Sequence, residues 1–331
     1  MAQPMLLTEG QALSENDEEN PPDLDYEVSS DKWKPHNPAR GDIQGEWAER
    51  PVRFVDGKDV GRTVAWLQSR EGYPVPIRLS EVGAVVMRHV GDELRCEHRY
   101  HERVVSFMGD MFPWDEVESF ARALQEHDFR LLLCEPIKGG YTYDFEPMRK
   151  ATENCSSSEM RQLERQALSL GPDTPTLVDG SLEPRVAAYD VNNSPVCGLV
   201  KSHYRNYLHP QGWRTYYELK AGQRTPAFLL NGLELEVVSW YLRLEGNGGE
   251  MPNWGVVRLE VPRLYFEKQL GKNWEHLDWL SNLVCDYRCR DESYSRAPVS
   301  IYPIQRAEET LGALFSRSET LINHFYHLTS L

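Results

Sequence analysis

Two phrases place an aspartate between strand-forming residues and a glycine: Phe54-Val55-Asp56-Gly57 and Leu177-Val178-Asp179-Gly180-Ser181. In each, apolar residues of high strand propensity run into a carboxylate, and the glycine lets the chain leave in a turn. Asp-Gly is also a common hairpin signal. Its occurrence twice raises a second reading, in which carboxylates at the ends of neighbouring strands share a divalent cation.

Two helical segments supply further carboxylates. At roughly 100° per residue, Met160, Leu163, Ala167, Leu168 and Leu170 of segment 156–170 form a broad apolar arc, and Glu164 falls inside it. A glutamate facing a core is costly unless it pairs with an arginine or binds a metal. Near the C-terminus, Ile304, Ala307, Leu311, Leu314 and Phe315 form a second apolar face, with Glu308 beside Ile304 and Phe315 and with Glu309 pointing away. The candidate ligands are therefore Asp56, Glu164, Asp179 and Glu308. All-oxygen donors suit manganese or magnesium rather than zinc. Two such ions about 4 Å apart can activate water, stabilise a leaving oxygen and cut a phosphodiester in line.

The elements that must position these groups alternate. Short β-like runs at 53–56, 63–68, 77–79 and 83–88 predict an antiparallel meander. A helix is expected over 114–127, a short apolar run over 129–134, and a helix over 156–170 that opens on a serine cap cluster. Strands follow at 176–179 and 196–201, and the runs 233–244 and 255–261 are expected to pair around the turn-rich 246–249. A last helix follows Tyr302, with Pro303 in its first turn. Residues 1–45, polar and acidic with Pro21-Pro22, read as a flexible or loosely docked tail ahead of a folded domain over 46–331.

Composition narrows the function classes. The chain has 331 residues, 40% of them hydrophobic, enough for a sizeable core. No apolar run reaches membrane-span length, and the acidic N-terminus lacks the order of a secretory signal. A cytoplasmic protein is expected, without membrane contact. The six cysteines are scattered and complete no zinc quartet. The formal net charge is −15; residues 1–50 carry 12 acidic and 4 basic side chains, or −8, which leaves −7 for the rest. Such a balance argues against tight, unaided DNA binding, although a local basic groove is compatible with it.

Five phrases in order resemble the successive sequence blocks of the NurA nuclease family. They are Phe54–Gly57, Leu177–Leu182, Val196-Cys197-Gly198-Leu199-Val200-Lys201-Ser202, Arg258-Leu259-Glu260-Val261-Pro262 and Tyr302-Pro303-Ile304-Gln305-Arg306-Ala307-Glu308. They span roughly residues 50–315. The resemblance implies an α/β fold of ribonuclease-H-like type: a mixed sheet flanked by helices, here with a helical insertion and an acidic N-terminal tail. It also implies a manganese-dependent DNA nuclease that acts as a homodimer docked on a HerA-type hexameric ATPase, in DNA-end processing or phage defence. Asp56 and Asp179 then fall on the family's strand ligands, Glu164 or Glu159 on the helix ligand, and Tyr302 on the tyrosine of the last block. At Glu308 the chain departs from the histidine or aspartate of other members, and Lys58 replaces the commoner serine.

Basic and aromatic residues interleave in Lys201-Ser202-His203-Tyr204-Arg205-Asn206-Tyr207. That pattern suits a phosphate clamp with a stacking surface, or a solvated basic loop. Lys201, Tyr204, Arg205 and Arg258 are the candidate DNA contacts. Two other functions stay open: a catalytically weak adaptor on the ATPase ring, and a guide-binding relative of the ribonuclease-H fold, for which the chain is short.

Overall fold

The computed structural model describes residues 22–41, 47, 53–183, 190–202, 207–231, 234–246, 252–291 and 293–329. The β-like runs near the start fuse into three long strands, β1 (Arg53–Gln68), β2 (Pro74–Val90) and β3 (Glu93–Phe107), paired as an antiparallel meander. The helix α1 (Trp114–Gln125) then leads to β4 (Arg130–Leu133), which lies parallel to β3. Next come α2 (Glu146–Ser169), β5 (Thr176–Asp179), β6 (Val196–Val200), α3 (Pro210–Glu218), β7 (Phe228–Asn231), β8 (Glu236–Arg243) and β9 (Val256–Pro262). The helices α4 (Arg263–Lys268), α5 (Glu275–Asp286), α6 (Tyr302–Leu314) and α7 (Ser318–Thr329) complete the chain.

All nine strands join one mixed sheet in the order β4-β3-β2-β1-β5-β6-β9-β8-β7. The centre is parallel: β5 pairs with β1 on one side and with β6 on the other. Side chains alternate across the sheet. Phe54, Leu177, Cys197 and Leu199 pack on one face with Ile304, Ala307 and Leu311 of α6 and with Leu277, Leu280 and Val284 of α5. Val55 and Val178 pack on the other face with Ala167 and Leu168 of α2. The sheet is thus an α/β layer flanked by helices, as expected.

Several local expectations are corrected. The chain does not turn at Asp56-Gly57, because β1 continues to Gln68. Helix α2 starts ten residues earlier than the serine cluster. Pro147 occupies its first turn, and Ser156 lies inside, its hydroxyl 2.7 Å from Asp59 Oδ2 and 3.0 Å from Glu153 O, either of which can accept its proton. These bonds satisfy the hydroxyl within the helix. Nor is the whole of 1–45 a loose tail. Residues 22–41 lie on the β7–β8 side of the sheet, where Trp33 is buried with Phe228 and Tyr241. The buried Arg224 guanidinium holds this segment, bonding Glu27 at 2.9 Å through both terminal nitrogens while its Nε meets Asp278 at 2.7 Å. The stretch at 247–250, expected to join β8 and β9, lies outside the described residues. Those two strands pair antiparallel as expected.

Glu81 of β2 ties the meander to the joint between α6 and α7. It is buried, faces His101 and Arg103 at 3.2 Å, and accepts from Ser316 N at 2.6 Å and Ser316 Oγ at 2.8 Å. Burial alone would raise its pKa; the bonds from His101, Ser316 and Arg103 outweigh it and bring the group to about 2. A depressed carboxylate stabilises the fold above its unfolded pKa, and that contribution is lost as pH falls through the folded value. Glu81→Gln is therefore expected to cost about 1–2 kcal/mol at pH 7. The gap between variant and wild type, read by urea denaturation, should close between pH 4.5 and 2. A gap independent of pH would show that charge is not what Glu81 contributes.

A candidate metal centre

Parallel pairing builds the centre. The β1–β5 register runs from Arg53 opposite Thr176 to Val55 opposite Val178, which brings Asp56 beside Asp179. Both follow the alternation of Phe54 and Leu177, so both face α6. From that helix Glu308 reaches down, and one oxygen from each of Asp56, Asp179 and Glu308 lies within 4.8 Å of the others. Asp56 is buried and the other two are half-buried.

The turn after Asp179 is held from several sides. Gly180 has φ +102°, a conformation that favours glycine, and its N–H donates to Leu199 O at 2.8 Å. Glu260 of β9 accepts from Ser181 Oγ at 2.9 Å and from Leu182 N at 2.6 Å, and pairs with Arg258 at 2.7 Å. Gly198 leaves room for this turn, since a Cβ there would stand 2.8 Å from Gly180 O. Arg258 also donates to Ser239 Oγ at 3.1 Å and stacks 5.6 Å from the Tyr207 ring. It is buried, with its guanidinium against Glu260 rather than presented at the surface as a groove-lining contact would be. Its charge is spent on orienting Glu260.

Glu164 approaches from the opposite face. It is 1% exposed on α2, and its carboxylate lies over Gly57, where a Cβ would stand 2.6 Å from Oε1. The glycine after Asp56 therefore serves a close approach rather than a turn. Glu164 is not one of the trio, but its charge acts on Asp56. The competing residue Glu159 is engaged elsewhere, in an ion pair with Arg130. Lys58 likewise turns to α6, its ammonium 5.8 Å from the Phe315 ring.

Lys201 sits within the cluster. It lies just past β6 and is 12% exposed, with Nζ 2.9 Å from Asp179 Oδ2 and 3.5 Å from Glu308 Oε1. Two residues that sequence reasoning missed complete the surroundings of Glu308. Tyr294 donates to its Oε2 at 2.7 Å, and Arg296 lies 3.3 Å from its Oε1. Burial, with the bond to Glu308 next, raises the Tyr294 pKa. The available signal was a basic and aromatic loop running straight into the helix that carries Glu308. Tyr302, by contrast, is exposed at the start of α6 and lines a separate groove of about 450 Å³ with Arg288, Arg290 and Arg306. Tyr204 and Arg205 lie outside the described residues.

Electrostatics at the trio favour a cation. Burial raises the Asp56 pKa well above its ordinary value; Asp179 raises it further, Lys201 opposes, and Glu164 and Glu308 add to the rise. A buried carboxylate beside a second one, in an all-oxygen cluster, fits a hard divalent ion. Asp56 and Asp179, with Glu308 beside them, are the residues able to hold it.

No family model matches the chain, and no curated protein matches it. Among solved structures it is similar to the NurA nuclease from Sulfolobus solfataricus, with 11% identity and a TM-score of 0.44, over 84% of this chain and 81% of that chain.

The fit of Glu164 over Gly57 makes a test. Gly57→Ala is expected to push Glu164 aside and cost about 1–3 kcal/mol in thermal unfolding. Manganese affinity, read by calorimetry, should fall with it. Unchanged stability would mean that the contact is loose.

Proposed function

We propose that this chain is a divalent-metal-dependent DNA nuclease. The observation that carries the reading is the convergence of Asp56, Asp179 and Glu308 within 4.8 Å, with Lys201 against two of them. The ordered resemblance of five sequence blocks to the NurA family supports it from a different direction. A bound manganese or magnesium ion supplies Lewis acidity and lowers the pKa of water.

The chain's own residues do the rest. Asp56 and Asp179 gather negative charge at one point between two strands, where a divalent cation would be held. Glu164, behind Gly57, deepens that charge. Tyr294 fixes one oxygen of Glu308, so the helix carboxylate keeps its orientation. Lys201 and Arg296 put positive charge beside the carboxylates, where a phosphodiester's non-bridging oxygens can be neutralised as charge develops on them. Hydrolysis then exchanges a phosphorus–oxygen bond to the sugar for one to water.

The net charge of −15 supports delivery by a partner rather than capture from solution. A hexameric ATPase of HerA type that threads DNA into a nuclease homodimer would supply effective concentration in place of affinity. Cleavage by the chain alone should therefore be weak and fall steeply with salt, and the ring should relieve that dependence.

Asp56→Asn and Asp179→Asn should each abolish manganese-dependent cleavage of DNA, with losses of 100-fold or more on the order expected for a lost metal ligand. Asp56→Asn should also stabilise the metal-free protein by about 1–2 kcal/mol, read as a higher melting temperature, because it removes a buried carboxyl group set beside like charges. Cleavage that survives both substitutions would overturn the site. Wild-type protein that neither binds manganese nor cuts DNA with its ring would favour the adaptor reading.

A further inference from the structure

Glu308 has its oxygens engaged by the protein. Oε2 accepts from Tyr294, and Oε1 faces both Lys201, at 3.5 Å, and Arg296, at 3.3 Å. The Lys201 ammonium is shared with Asp179 Oδ2 at 2.9 Å. It is held among carboxylates at the end of a central strand, with 12% of its side chain exposed, while Arg296 stands at the rim with 62% exposed.

We propose that the centre takes a single divalent cation, at Asp56 and Asp179, and that Lys201, moored by Glu308, is its second, built-in cation. The proposal rests on the cation reading above and departs from the two ions that the carboxylate count suggests. Charge supports it. Lys201 and Arg296 already set two positive charges against Asp179 and Glu308. A second divalent ion would have to settle beside an ammonium already in contact with two of the available carboxylates, and would meet its repulsion. Lysine suits the place, being a compact point charge on a stem long enough to reach from the strand end to α6.

In this view the departure at Glu308 has a purpose. The family resemblance implies a histidine or aspartate at this position. A glutamate reaches further and can bridge Tyr294, Arg296 and Lys201 at once. Glu308 is then a positioning residue for the lysine, not a ligand.

The test is the manganese stoichiometry of the full chain, by calorimetry and by the loss of the free-ion signal in electron paramagnetic resonance. Wild type is expected to bind one ion per chain. Lys201→Met should bind two, and Lys201→Arg, which keeps the charge, should stay at one. Two ions in wild type, or one in Lys201→Met, would overturn the built-in cation while leaving the nuclease reading intact. No ion in wild type would overturn both. Should Lys201→Met fail to fold, Lys201→Gln takes its place as the charge-free variant, with two ions again expected and one ion overturning the built-in cation.

Discussion

The fold depends on one unfavourable contact, the placement of two aspartates side by side by the parallel pairing of β1 with β5. Two carboxylates within 4.8 Å repel when both are ionised, and that repulsion raises the Asp56 pKa. Burial of Asp56 adds to that cost. An arrangement so expensive persists only if the surroundings fix both strands and supply positive charge. The surroundings do both. The hydrophobic packing of Phe54 and Leu177 against α6 secures the strands just before the aspartates, Glu260 and Gly180 lock the turn just after, and Lys201 supplies charge from the next strand.

The two helices act from opposite faces of the sheet, which explains why four carboxylates can gather without four strands. Helix α6 lies on the face of the aspartates and contributes Glu308 directly. Helix α2 lies behind, and only the missing side chain at Gly57 lets Glu164 come close. The β1–β5 pairing ends at Val55, so β1 runs on past Asp56 without β5 paired to it. Short strands at the centre and long ones in the meander are therefore linked to function: β5 and β6 stop where the site begins, and β1 runs on.

The sequence carried the strands that end at the site more faithfully than the rest. Residues 176–179 read as a strand because their apolar run is short and punctuated by Gly180, and the strand occupies those residues. The same phrase at 54–57 was misleading, because Gly57 is read locally as a turn, whereas its use is tertiary and depends on a helix a hundred residues away. Glu164 was legible as a charge inside an apolar arc. Lys201 was legible as basic, but sequence cannot distinguish a lysine offered to a phosphate from one drawn into a carboxylate cluster. The burial of Arg258 was hidden for a related reason: its partners Glu260, Ser239 and Tyr207 come together only when β8 and β9 pair and the segment before α3 packs on them. The acidic segment at 22–41 looked loose by composition, yet Trp33 and the Glu27–Arg224–Asp278 chain hold it, a pairing of residues nearly two hundred positions apart.

The charges around the trio form a gradient rather than a patch. Arg296 is at the rim, Lys201 is inside, and Asp56 is deepest. An anion moving along that line meets an exposed guanidinium first and a confined ammonium next, before it reaches the place where a hard cation would be held. On a protein of net charge −15 such a short basic path cannot gather DNA at a distance, since the long-range field is repulsive. It can orient a phosphodiester already brought close. On the proposed reading, the electrostatics of the site serve alignment of a phosphodiester rather than its capture.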